Sequence, residues 1–298
     1  MRPVKYHGEK DSPFYRLQAK SKLAALLYVG TQKIKDLAAA DGLYFDFQKP
    51  KKSGGTRLIS APRDDLKAIQ SRIADLLARI APPDYLFAPV AGRSYVDNAA
   101  RHLGAACVHL LDIEDFFPSC TANKVAWFFM TRMGCSRDVT AIITRLVTQK
   151  GCLPQGSPCS PILAYLCYVD MWEEIERIVA SNNCLLSVYA DDLTISGTVV
   201  PEIAIWEIKK ALVKHGHRYK ASKERSRHLK PAEITGVILS GNVLLAPNRQ
   251  HKKIDAVRKE LAVTCSPSHR AKLEAQFRGR VAQFRQITGA KARLTTGL

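Results

Sequence analysis

Negative charge is almost missing from the last fifty residues of this chain. From Arg249 onward the acidic residues are Asp255, Glu260 and Glu274, against twelve basic ones: Arg249, Lys252, Lys253, Arg258, Lys259, Arg270, Lys272, Arg278, Arg280, Arg285, Lys291 and Arg293. That imbalance carries half of the whole net charge of +18, so the expected partner is a polyanion. Also missing is any uninterrupted apolar run of the roughly 20 residues that span a bilayer, which favours nucleic acid over membrane. The eight cysteines show neither Cys-x-x-Cys nor Cys/His zinc spacing and read as small core residues of a cytoplasmic protein. The opening "MRPVKYHGEKDSPFYRL" lacks the apolar centre of an export signal. No internal repeat, low-complexity tract or Gly-x-Gly-x-x-Gly fingerprint is present, and the last absence disfavours a doubly wound nucleotide fold.

What is present is a chain of 298 residues, 46% hydrophobic, long enough for two domains or one domain with lobes. Helical spacing is expected over "SPFYRLQAKSKLAALL", opened by Ser12 and Pro13, and over "TQKIKDLAAA". "LYFDFQKPKKSGGTRLISAP" reads as two strands around a turn at Gly54–Gly55. Further helices are expected at "LKAIQSRIADLLARI", "ANKVAWFFMTRM", "DVTAIITRLVTQ", "PEIAIWEIKKALVKHG", and as one long helix at "ILAYLCYVDMWEEIERIVA". "AEITGVILSG" with "NVLLAP" reads as a short strand pair, followed by basic helices. Trp127, Trp172 and Trp206 lie at apolar helical positions and are expected in the core. The sum is an α+β chain with a helical appendage.

Within it, "SVYADDLTISG" places Asp191 and Asp192 side by side in a β-prone apolar run. Adjacent carboxylates raise each other's pKa, so they need either an exposed turn or a cation. A Tyr-x-Asp-Asp string arises by chance in about one in fifty chains of this length, and a second element must decide. "LLDIEDFFPS" supplies it: Asp112 closes an apolar strand and could share a metal with Asp191. Oxygen ligands from two strands suit Mg²⁺, in the layout of two-metal phosphoryl transfer. Strand periodicity makes Asp191 and Asp192 inequivalent, one bridging and one supporting. Glu114 and Asp115 read as exposed turn charges.

These segments resemble those of reverse transcriptases: "YADD" the catalytic box, "LDIEDFF" the first carboxylate motif, "LPQGSPCSP" the loop beneath the incoming nucleotide, in the family's order. Two more resemble the retron branch. "NAARH" carries its Asn-Ala-x-x-His at Asn98, Ala99 and His102, and "ITG" stands for its Val-Thr-Gly with Ile234 replacing Val. "FRGRVAQFRQITG" resembles the end of the family's thumb, with Thr288–Gly289 in place of Asn-Pro. The resemblance covers nearly the whole chain.

The resemblance implies a right-hand polymerase: fingers in 1–105 and part of 120–165, a palm with an antiparallel sheet in 106–240, and a basic helical thumb in 241–298. It implies two Mg²⁺ ions on Asp112, Asp191 and Asp192. Arg57 is expected at the triphosphate, with neighbours Lys51, Lys52 and Arg63 either beside it or solvated, Phe117 under the sugar as the barrier to a 2′-hydroxyl, and Gln155 and Gly156 at the nucleotide. Lys223, or Lys220 in its stead, is placed near the leaving pyrophosphate, with a solvated face as the alternative for both. Asn98, His102, Thr235, Gly236, Arg278, Arg280 and Arg285 are expected to seat RNA, His102 being open to a structural role as well.

The implied function is copying part of the protein's own non-coding RNA into single-stranded DNA from deoxynucleoside triphosphates, primed by a guanosine 2′-hydroxyl. The implied setting is anti-phage defence with a separate effector protein. Two rivals stand beside it: a nucleic-acid-binding scaffold subunit of a defence complex, and another short bacterial reverse transcriptase. Against a diversity-generating enzyme, Ser160–Pro161 stand where Ser-Gln is expected.

Overall fold

The computed structural model describes residues 5–50 and 54–289; Lys51, Lys52, Lys291 and Arg293 lie outside them. Helices α1 (Lys20–Leu26) and α2 (Thr31–Ala39) precede a hairpin of β1 (Tyr44–Pro50) and β2 (Thr56–Pro62), then α3 (Asp64–Leu77). The first helix starts later than its pattern suggests. Ser12 accepts from the Phe14 N–H within a turn, Phe14 and Leu17 are buried, and Arg16 is left-handed at φ 53°, so residues 12–16 enter the core as a turn.

The centre is an antiparallel-dominated sheet ordered β3 (Leu86–Ala88), β5 (Leu185–Tyr189), β6 (Asp192–Gly197), β4 (Cys107–Glu114), β7 (Arg218–Tyr219), with β8 (Arg225–His228) also on β4. Only β3 and β5 run parallel. Helix α4 (Tyr95–Ala100) leads into β4, and α5 (Phe116–Ser119), α6 (Ala122–Trp127) and α7 (Arg137–Val147) follow it.

The expected long helix is two, α8 (Ser160–Leu166) and α9 (Val169–Ser181). Tyr168 interrupts it: its hydroxyl donates to the Ser119 carbonyl at 3.0 Å and accepts from the Thr121 N–H at 3.2 Å. Helix α10 (Glu202–Lys214) follows the β5–β6 hairpin. The main core joins α3, α7–α10 and the inner residues of β4–β6, with Trp172 fully buried and Trp127 half-buried. Trp206 corrects its expectation, being 53% exposed.

A separate small sheet, β9 (Ala232–Ile234), β10 (Val237–Ser240) and β11 (Val243–Leu245), has three strands instead of two because Thr235–Gly236 is itself a turn. Two long helices, α11 (Asn248–Val263) and α12 (Pro267–Thr288), pack on each other, and Ile287 anchors them among Val237, Leu239 and Leu244. Among the described residues no helix is long and apolar enough to cross a membrane.

Candidate active site

Strands β5 and β6 pair Tyr189 with Asp192, leaving Ala190 and Asp191 as a two-residue turn. Ala190 is left-handed at φ 57°, a conformation that costs a residue with a Cβ about 1–2 kcal/mol and that tight hairpins require at this position. The turn is tied to β4, whose Ile113 N–H donates to the Asp191 carbonyl at 2.9 Å. Asp192 opens β6 directly opposite Asp112 on β4, so the two side chains share a face as cross-strand neighbours. The adjacent carboxylates therefore differ as their periodicity suggests: Asp192 faces Asp112 across the ladder, and Asp191 sits on the turn.

Burial first, then the charges of Asp191 and Asp112, push the Asp192 carboxyl up to about 7. Burial also raises Asp191, ahead of the Asp112 charge and against the opposing cations Lys223 and Arg57. Lys223 supplies positive charge directly, its ammonium donating to Asp112 Oδ2. Burial pulls that ammonium down, but Asp112, Asp192 and Asp191 together outweigh it and hold its pKa above the usual lysine value. Lys220 reaches Asp112 only through its backbone N–H, bonded to the Asp112 carbonyl at 2.8 Å. Of the two lysines, Lys223 is the one whose charge is in the site.

A cavity of about 300 Å³ adjoins these groups, lined among others by Asp112, Asp192, Lys223, Arg225, Glu233 and Thr235. Among the described residues no three His, Cys, Asp or Glu side chains form a ready-made metal cage. The donor set fits a hard cation that completes its shell with water and phosphate oxygens: the carboxylates are crowded, raised in pKa and already drawing an ammonium. The same crowding sets a pH dependence. A carboxyl raised from 3.8 to about 7 costs folding free energy once ionised, so its contribution is favourable at low pH and is lost as pH rises through 7. Asp192→Asn should raise the melting temperature of the metal-free protein at pH 8 by on the order of 5 °C. Thermal scans should show that gain shrinking from pH 7 toward pH 4; a gain constant across that range would contradict the raised carboxyl.

The Gln155–Gly156 loop is fixed to the β1–β2 hairpin, with the Ser60 N–H donating to the Gln155 carbonyl at 2.8 Å. Gly156 has φ 131°, and a Cβ there would lie 2.9 Å from the Ser60 carbonyl oxygen, so only glycine allows this approach. Arg57 is exposed on the same strand, its charge felt at Asp191. Arg63 does not join the group, since its Nε donates to the Gly42 carbonyl at 2.9 Å. Phe117 stands half-buried on α5, immediately beyond the left-handed Asp115 (φ 43°) that ends β4. Glu114 and Asp115 are exposed, as expected of turn charges.

Asn98 and His102 require correction as RNA contacts, because both side chains are buried. Asn98 Nδ2 donates to Thr235 Oγ1 at 3.3 Å, and that hydroxyl donates to the Tyr95 carbonyl at 3.1 Å. The two retron-like segments thus meet in space. Thr235 (φ 45°) and Gly236 (φ 88°) form the left-handed pair of a two-residue hairpin turn closed by Ile234 and Val237, and the Thr235 hydroxyl bonds hold a β-branched residue in that unfavourable region.

His102 is fully buried between Ser196 of β6 (2.6 Å) and Ser187 of β5 (2.7 Å). Burial, helped by Arg101, drops its pKa to about 3, so it is neutral and clamps the two strands that carry Asp191 and Asp192. Its removal leaves two buried hydroxyls unpaired, each costing about 1–3 kcal/mol. His102→Ala should lower stability by roughly 3–5 kcal/mol by denaturant titration. Filter binding below the melting transition should find RNA affinity unchanged; a selective loss of RNA affinity would restore the contact role.

Thr235 and Gly236 also wall a second cavity of about 330 Å³, shared with Tyr95, Tyr189, Arg249, Gln250 and Arg280. The Tyr95 hydroxyl, Gln250 Oε1 and Arg280 Nε are buried without a hydrogen-bond partner among the described residues. The three arginines of α12 part company: at 100° per residue Arg280 shares the inward face of Leu273 and Ile287, while Arg278 and Arg285 share the exposed opposite face. Sequence reasoning missed Tyr95, Tyr189, Gln250, Ser187 and Ser196. The serines left one signal, polar residues inside otherwise buried strands, and Tyr189 another as the first residue of "YADD"; Tyr95 and Gln250 left none.

A family model described as reverse transcriptase (RNA-dependent DNA polymerase) matches residues 49–239, a span that includes Arg57, the three carboxylates and Lys223. The retron Ec86 reverse transcriptase of Escherichia coli is 30% identical over 208 residues, covering 67% of this chain and 63% of that protein. The retron Mx65 reverse transcriptase of Myxococcus xanthus is 28% identical over 255 residues, covering 78% and 59%. The chain spans about six-tenths of the length of these curated relatives. Among solved structures, a foamy viral protease-reverse transcriptase in complex with double-stranded DNA aligns with a TM-score of 0.48 at 18% identity, covering 96% of this chain and 43% of that one.

Proposed function

Because this chain belongs to the reverse transcriptase family, with retron enzymes among its relatives, we propose that it is an RNA-directed DNA polymerase that copies part of its own structured RNA. The observation that carries this reading is the carboxylate cluster of Asp112, Asp191 and Asp192 on adjoining strand ends, faced by Lys223 and within reach of the Arg57 charge. In this reading 1–105 with part of 120–165 are fingers, 106–240 the palm and 241–298 the thumb.

The chain's own residues divide the work. Asp112, Asp191 and Asp192 would hold Mg²⁺, two ions in all, which when bound activates the attacking oxygen and stabilises the leaving one. Arg57 and Lys223 offset triphosphate charge, and Lys223 can exchange Asp112 for a phosphate oxygen without leaving the site. The Gln155–Gly156 loop, held at Ser60, makes the floor for the incoming deoxynucleotide, and Phe117 limits its 2′ side. Thr235–Gly236, with Arg280 and the unpaired polar atoms beside it, offers the primer strand a polar wall next to the carboxylates. Exposed Arg278 and Arg285 suit phosphates of a duplex.

Priming from a guanosine 2′-hydroxyl, to give branched RNA–DNA, is the form of initiation that the retron likeness favours. An effector protein in a cytoplasmic anti-phage system is the matching partner. The test is to purify the protein with its nucleic acid, sequence both strands, and treat the product with a 2′,5′-debranching nuclease. Release of DNA from RNA supports the proposal. A product with an ordinary 3′,5′ junction or a free 5′ end from the outset overturns branch priming, and absence of any complementary DNA overturns the polymerase reading.

A further inference from the structure

We propose that Gln70 is a positioning residue for the incoming deoxynucleotide, holding the Gln155–Gly156 loop seated before the nucleotide arrives. The inference rests on the polymerase reading above and adds a residue to its nucleotide site. Gln70 lies on α3 among Leu66, Ile69, Ile73, Leu76 and Leu77, in the stripe that enters the core. It is fully buried. A methionine there would keep the volume, whereas a buried amide costs free energy unless it is hydrogen-bonded. Gln70 Nε2 donates to the Tyr44 hydroxyl at 2.7 Å and to the Leu146 carbonyl at 2.8 Å, and its Oε1 accepts from the Ser157 hydroxyl at 2.6 Å. The two ends of the amide are fixed, because the Leu146 carbonyl can only accept. One buried side chain thus joins β1 of the hairpin that carries Arg57, the end of α7, and the nucleotide loop.

The Ser157 bond gives the loop a second tie. The first is the Ser60 N–H on the Gln155 carbonyl at 2.8 Å, and a segment held at one point can pivot about it. Between the two ties lies Gly156 at φ 131°, the residue type with the most backbone freedom to lose. Ser157 Oγ also accepts from the Cys159 N–H at 3.4 Å, which carries the restraint to the start of α8. On the other side Tyr44 pairs with Pro62 at the base of the hairpin. The hairpin bearing Arg57 and the loop bearing Gln155 are therefore both referred to one amide.

Seating the loop in advance acts through affinity. When the competent arrangement is populated for only a fraction of the time, the apparent Kd is the intrinsic one divided by that fraction, while the bound complex reacts as before. A loop seated about a tenth of the time would bind nucleotide about tenfold more weakly. Loss of the second tie should therefore weaken binding and spare the rate of the bound state.

Single-turnover incorporation of one deoxynucleotide by the full chain, on a primer annealed to an RNA template, separates the apparent Kd from the maximal rate. Gln70→Met and Ser157→Ala should each raise Kd about tenfold, with the maximal rate within about twofold of the parent and RNA affinity unchanged by filter binding. Ser157→Ala leaves the Tyr44 and Leu146 bonds in place, so it carries the test even where Gln70→Met folds poorly. Both changes remove the same bond, so the double variant should also stand near tenfold, well short of the roughly hundredfold to which independent effects would multiply. A purely structural role gives another pattern: fewer active molecules and a lower melting temperature, with the active ones binding nucleotide as the parent does. An unchanged Kd in Ser157→Ala, a maximal rate that falls as far as Kd rises, or effects that multiply in the double variant would each overturn the assignment. A parent that extends no primer overturns the polymerase reading and this inference with it, whereas an active parent matched by its variants removes Gln70 alone.

Discussion

A chain carrying Asp112→Asn should synthesise DNA at no more than about a thousandth of the parent rate, while binding RNA as the parent does. Asn keeps the size and planarity of the side chain, so the β4–β6 pairing at Asp112 and Asp192 survives. What goes is one of three negative charges, and with it the acceptor that Lys223 holds. The relief lets Asp192 ionise more easily, since Asp112 is one of the charges that raise it, but two carboxylates no longer span both strands. Primer extension on an annealed template measures the rate and filter binding the affinity. Extension at a parental rate would remove Asp112 from the chemistry, and a joint loss of both signals would mean a folding defect instead.

The sequence made the three carboxylates legible because a charged residue in an apolar β run is costly enough to stand out. The same contrast marked the turn at Gly54–Gly55 and the basic end. It left the register silent. Nothing local says that Asp112 pairs with Asp192 while Asp191 is displaced onto a strained turn, because that depends on how β4 inserts between β6 and β8. Which of the two roles open to His102 applies is hidden in the sequence for a related reason. A histidine between Arg101 and Leu103 gives no sign of meeting Ser187 and Ser196, 85 and 94 residues away.

Tyr168 shows how tertiary contacts override periodicity. The apolar pattern runs unbroken from Ile162 to Val179, yet one hydroxyl bonded to Ser119 and Thr121 divides the helix. Trp206 departs in the other direction, since apolar residues at helical spacing do not say which of the two apolar faces of α10 meets the core. Asn98 and Thr235 lie 137 residues apart; the family likeness named both without giving a reason for them to be in contact.

Phe117→Ala should lower the preference for deoxynucleotides over ribonucleotides by about 100-fold, near 3 kcal/mol, with a smaller loss in the rate for deoxynucleotides. A steric barrier works only if it cannot yield, and α5 is braced on several sides. Ser119 Oγ donates to the Phe116 carbonyl at 2.8 Å and bonds His217 Nδ1 at 2.7 Å, while Tyr168 holds the Ser119 carbonyl and packs its ring, tilted by 51°, 4.3 Å from His217. Burial, aided by His215 and Lys124, lowers the His217 pKa to about 4, so the brace stays neutral at working pH. Phe116, locked in the core 5.7 Å from the Phe117 ring, completes it. If Phe117 is the barrier, its stiffness comes from neighbouring residues that brace α5. Ser119→Ala, with Phe117 intact, should therefore lose part of the discrimination without losing the ring. Single-nucleotide incorporation with paired deoxy- and ribonucleoside triphosphates measures both variants. Unchanged selectivity in an active Phe117→Ala chain would place the barrier elsewhere. Loss in Phe117→Ala with none in Ser119→Ala would assign it to ring volume alone, without the brace.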